Sequence, residues 1–187
     1  MRKMEPPVFD IKLLSSLAKV FADEEPKYQT ECLVLTALKN ETVSFQAAVK
    51  SSGFMKSNLE LKIISPIQDL IHVRNVEYVP VGRATTGILD DNYLKTDSGM
   101  YPDLLREVRD GKVTVYPKKW RSIWFDIIVG EDAPAGTHPI EIQLINTEGE
   151  IVCSAKTKVT IFDVVLPETE LIHTEWFHAD CLADYYQ

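Results

Sequence analysis

Long apolar runs are what this 187-residue chain most plainly lacks. No stretch approaches the roughly 20 apolar residues of a membrane span, and no apolar run of signal-peptide length follows the basic start Met1-Arg2-Lys3. As given, the chain is therefore expected to be cytoplasmic, with no membrane partner. Cysteine is scarce as well: Cys32, Cys153 and Cys181 are odd in number and far apart. Such usage argues against a disulfide framework and fits reduced thiols. A basic excess is absent too, since 20 Lys and Arg face 28 Asp and Glu for a net charge of -8. The basic stripe that nucleic acid demands is missing, so no nucleic-acid partner is expected. No glycine-rich phosphate loop occurs, and Ser15 and Ser16 have no His or Asp in a nucleophile motif. Asp90, Asp91, Asn92 and Asp97 miss the spacing of a calcium loop. His173, His178, Asp180 and Cys181 match no zinc spacing. Neither a metal nor any other cofactor is expected.

What is present is alternation. In Trp120 to Asn146, Ile123, Phe125, Ile127 and Val129 fall on one side of a period-2 ribbon, with Ser122, Trp124, Asp126 and Ile128 on the other. After a loop from Gly130 to Thr137, a second ribbon sets His138, Ile140, Ile142 and Leu144 opposite Glu141 and Gln143. Two ribbons joined by such a loop predict an antiparallel hairpin.

Earlier, Val8 to Phe21 fits a helix about as well as a strand. Its context of prolines before it and Asp23-Glu24-Glu25-Pro26 after it favours extended chain. Cys32 to Leu38 is a short apolar run, and Thr42 to Lys50 alternates as a strand buried on one face. Leu59 to Ser65 and Ile71 to Val81 are the next ribbons, and Ile151 to Phe162 is a long final strand with Cys153 on its buried side. Between them, Gly82 to Lys119 shows no regular alternation, with only Leu104 to Arg109 offering a helical turn; so long a loop is usually functional.

Strands spaced by turns, without helices between them, predict an all-β fold: an antiparallel β-sandwich, immunoglobulin-like or jelly-roll-like, over residues 1–167. Pro167 marks its boundary. The aromatic-rich residues 168–187 have no evident place in a closed sandwich and are expected to begin a second domain. Tyr101, Tyr116, Trp120 and Trp124 can be a platform for sugar rings, although core packing is the commoner fate of such residues. Tyr101 and Trp120 are the candidates carried forward. Acidic Asp126, Glu131 and Asp132 lie near the Gly130 loop, where a turn cap or an ion pair is the simpler account.

Five blocks carry a resemblance: Ser15 to Phe21 (SSLAKVF), Asn40 to Gln46 (NETVSFQ), Tyr101 to Leu105 (YPDLL), Asp132 to Thr137 (DAPAGT) and His173 to Tyr186 (HTEWFHADCLADYY). Together the chain resembles the N-terminal region of proteins similar to glycoside hydrolase family 123, β-N-acetylgalactosaminidase-like enzymes. The resemblance implies an N-terminal sandwich followed by a (β/α)8 barrel, with substrate-assisted catalysis by an Asp-Glu pair in that barrel. No residue here matches that pair. Residues 168–187 would then be the short stub of the barrel. Because loops after barrel strands form the active face, Trp176, His178 and Asp180 become candidate sugar-pocket residues of the intact protein. The expectation is a non-catalytic sandwich partnered by its own C-terminal barrel and by glycan, with a carbohydrate-binding module or a ligand-free interaction domain as alternatives. Dimerisation through the exposed stub is a further expectation.

Overall fold

The computed structural model describes residues 6–27, 33–82, 95–167 and 183. Among the described residues there are ten strands and one 3-10 turn, Gln68–Leu70. In order they are β1 Phe9–Ser15, β2 Val34–Lys39, β3 Glu41–Ser51, β4 Ser57–Ile64, β5 Ile71–Val81, β6 Gly99–Glu107, β7 Lys112–Val115, β8 Trp120–Val129, β9 Gly136–Ile145 and β10 Ile151–Val165. They form two five-stranded sheets, β1-β3-β8-β5-β6 and β2-β10-β9-β4-β7. All neighbours are antiparallel except β2 and β10, which run parallel. The expected sandwich is observed with that one departure.

Alternation places the core. β3 contributes Phe45, Ala47 and Val49, and β8 contributes Ile123, Phe125 and Ile127, all with no exposed surface. Phe45 and Phe125 are register partners whose rings stack 4.8 Å apart. The second sheet answers with Leu59, Ile140, Ile142, Leu144, Val159 and Ile161. Burying such side chains stabilises a fold by roughly 1.5–3 kcal/mol each.

Three expectations need correction. β8 and β9 do not pair as a hairpin: β8 lies between β3 and β5, whereas β9 lies between β10 and β4. The intervening loop carries the chain from one sheet to the other, so Phe125 and Ile142 belong to opposing layers of one core. The span Gly82 to Lys119 is not without regular structure, because β6 pairs with β5 and β7 with β4. Leu104 to Arg109 starts in strand β6, not in a helical turn. An edge strand exposed on both sides shows no alternation to read. Finally, β3 is buried on both faces: Gln46 and Ala48, on the side expected to meet water, are 3% and 0% exposed.

The cover over that outer face is the segment after β1. Residues 16–27 cross the first sheet as a strap, and Val20 joins Leu14, Ala48 and Trp120 in a second, smaller core. In the sequence Asp23-Glu24-Glu25 only ends the segment that begins at Val8. In the fold the three acids pair with three lysines from separate places: Asp23 with Lys119, Glu24 with Lys95, and Glu25 with Lys12.

Candidate functional site

The outer face of the first sheet carries the buried polar side chains Gln46, Ser122 and Asp126. Half of it lies under the strap. There the Gln46 side chain turns to the strap's backbone, its amide nitrogen donating to the carbonyls of Ser15, Ser16 and Ala18 at 3.2, 3.1 and 2.8 Å. Its amide oxygen accepts from Ser122 Oγ at 2.7 Å. Both N–H donors of this buried amide are thus committed to the strap. Tyr78, reaching over from β5, points its hydroxyl at the carbonyls of Val20 and Trp120, 3.1 and 2.9 Å away. Burial pushes its phenol up to about 12. The Lys12 ammonium that hydrogen-bonds Glu25 holds that carboxyl below its usual range.

The other half, beyond the strap, centres on Asp126 of β8. Its neighbours follow from register: Ser44 of β3 and His72 of β5 stand directly opposite, and Arg74 faces Trp124. Ser44 Oγ and Trp124 Nε1 both donate to Asp126 Oδ1, at 2.6 and 2.7 Å. Arg74 Nη2 lies 3.0 Å from Oδ2 as an ion pair without hydrogen-bond alignment, and Arg74 Nε lies 3.3 Å from Glu107 on β6. Asp126 is 6% exposed. A carboxylate surrounded by a hydroxyl, an indole N–H and a guanidinium is fixed in place, which suits holding three strands together better than attacking or protonating a substrate.

The sequence candidates separate in the fold. Trp120 is 2% exposed, beneath the strap, with the ammonium groups of Lys12 and Lys50 5.0 and 5.4 Å from its ring. Its ring faces are therefore taken. Tyr101, on β6, is half-buried beside the strap, edge-on to Phe21 with centroids 5.5 Å apart. Its hydroxyl donates to the Asp97 carbonyl. Of the other aromatics, Tyr116 is exposed while Trp124 is tied to Asp126. Glu131 and Asp132 are exposed in the loop after β8. Trp176, His178 and Asp180 lie outside the described residues, as do Asp90, Asp91 and Asn92. Among the described residues no group of three or more His, Cys, Asp or Glu is placed to hold a metal, and no helix is long and apolar enough to cross a membrane.

An open cleft of about 660 Å³ lies between Pro6 to Phe9, the start of β4 and the β9–β10 turn. The Asn146 side chain there accepts from the amides of Glu148 and Glu150, at 3.1 and 2.8 Å, and so serves the turn. Cys153, half-buried on β10, is a free thiol pushed up to about 12 by burial.

Sequence order alone does not bring the Asp126 cluster together. The sequence places Ser122, Trp124 and Asp126 on one face of β8, yet the lateral partners Ser44 and Arg74, from strands far apart in the chain, become neighbours only through strand order.

No protein-family model matches the chain, nor does any curated protein sequence. Among solved structures, it is similar to a family 123 glycoside hydrolase from Clostridium perfringens studied for glycolipid glycan hydrolysis, with a TM-score of 0.62 and 13% identity. That match covers 85% of this chain and 28% of the hydrolase, so the chain spans little more than a quarter of that protein's length. A CARDB domain from Pyrococcus furiosus aligns with a TM-score of 0.43 at 11% identity, covering 86% of this chain and 99% of its own.

Proposed function

We propose that this chain is the non-catalytic N-terminal β-sandwich of a glycoside-hydrolase-like protein, supporting a downstream catalytic barrel that acts on N-acetylhexosamine-containing glycans. The supporting observation is the likeness to the Clostridium perfringens enzyme, in which nearly the whole of this chain aligns with 28% of a much longer hydrolase. The sequence blocks that resemble family 123 point the same way. So does the Asp126 cluster, whose donors are spent on joining β3, β5 and β8. In this reading residues 168–187 begin the barrel, and Trp176, His178 and Asp180 contribute to its sugar pocket. A cytoplasmic setting goes with it, supported by the free thiol of Cys153.

The second reading, a carbohydrate-binding module, rests on Tyr101 and the 49% exposed Tyr116. Calorimetric titration of the chain with oligosaccharides ending in N-acetylgalactosamine separates the two. The supporting role predicts no saturable heat. Saturable binding that disappears in Tyr101→Ala or Tyr116→Ala overturns it in favour of the module.

A further inference from the structure

The strap shares little with the fold it covers. Residues 16–27 form no strand, and only Val20 and Pro26 among them are buried. The cluster that Val20 makes with Leu14, Ala48 and Trp120 has no buried residue in common with the main core. Beneath it the sheet is already complete. β8 pairs with β3 from Val129 opposite Glu41 to Trp120 opposite Lys50, and β1 pairs with β3 on its other side. Lifting residues 16–27 therefore leaves these ladders and the main core in place. A segment with few buried apolar side chains and no ladder of its own opens ahead of the fold that carries it.

Charge supplies three of its attachments. Asp23, Glu24 and Glu25, whose side chains are 67%, 41% and 58% exposed, pair with Lys119, Lys95 and Lys12. Pairs that meet this much water weaken as salt shortens the Debye length, from about 30 Å at 0.01 M to about 3 Å at 1 M. The other polar ties, from Gln46, Tyr78 and the Trp120 amide, end on strap carbonyls, which water serves equally once the strap is free. We infer that residues 16–27 are an electrostatically latched cover: they lift from the first sheet as one unit while both sheets stay folded, and salt shifts them toward the lifted state. Closed, the strap hides the Trp120 ring, with the ammonium groups of Lys12 and Lys50 beside it. Lifted, it frees Lys12 from Glu25 and brings that ring to the surface. The inference does not rest on the glycosidase reading.

The Trp120 amide reports on it, because it donates to the Ala22 carbonyl of the strap at 2.9 Å. Amide exchange of the native chain, followed by nuclear magnetic resonance and normalised to an unstructured peptide at the same salt, is the measurement. Protection at Trp120 is expected to be at least tenfold lower than at Phe125, which lies in mid-ladder between β3 and β5. Raising NaCl from about 0.02 M to about 1 M should lower it about fivefold further and leave Phe125 unchanged. The triple variant Asp23→Asn, Glu24→Gln, Glu25→Gln should show at low salt the protection that the native chain has at high salt. Equal protection at Trp120 and Phe125 overturns the inference, since the strap would then leave only with the whole fold. Protection at Trp120 that responds to neither salt nor the triple variant also overturns it, because fraying of β8 would then account for the exchange.

Discussion

The Tyr78 hydroxyl on β5 lies 2.9 Å from the carbonyl of Trp120, the first residue of β8. That contact, with the one to Val20 at 3.1 Å, ties strap, ribbon and sheet together at a single atom. Tyr78→Phe removes the single hydroxyl proton that these two carbonyls share, so a loss of about 1–2 kcal/mol is expected in urea denaturation.

The same residue sets an alkaline limit. Its phenol is raised to about 12 in the fold because burial disfavours the phenolate. An unfolded tyrosine ionises near pH 10, so the stability Tyr78 contributes is complete below about pH 10 and is lost as pH rises toward 12. Denaturation midpoints measured across that window should fall more steeply for the native chain than for Tyr78→Phe. Parallel curves would contradict the assignment.

Asp126 and Glu107 both pair with Arg74 but stand in different surroundings, the side chain of Asp126 being 9% exposed and that of Glu107 72%. Asp126→Ala strips Ser44, Trp124 and Arg74 of a shared acceptor and should cost about 3 kcal/mol. Glu107→Ala removes a pair at the surface and should cost less than about 1 kcal/mol. Thermal melts of the two variants test the ranking.

Cys153 should be inert. With its thiol pushed up to about 12 by burial, little thiolate exists at neutral pH. Iodoacetamide labelling followed by peptide mass spectrometry is expected to show Cys153 reacting more than tenfold slower at pH 8 than after unfolding in urea.

Where one face of a strand meets the core and the other meets water, the pattern could be read directly, and β4, β9 and the central part of β10 emerged from alternation alone. Reading failed where a third layer intervened. The strap gives β3 and β8 two buried faces, so Gln46 and Ser122 look like solvent residues in the sequence and prove to be part of a closed hydrogen-bond network. It also failed for β6, whose sides are both largely exposed and which contains Pro102. Local pattern says that β8 and β9 are strands; only the packing of Phe125 against the opposite layer shows that they belong to different sheets. The site residues fared likewise: Trp120 advertised an aromatic surface, but the register that places it under Val20 is a long-range property.

The supporting role is tested most directly by hydrolysis of a chromogenic N-acetylgalactosaminide, with the 187-residue chain assayed beside the polypeptide of the complete reading frame that contains it. The account predicts no turnover by the former and turnover by the latter. Turnover by the 187-residue chain, or a complete reading frame that adds no barrel, would contradict it.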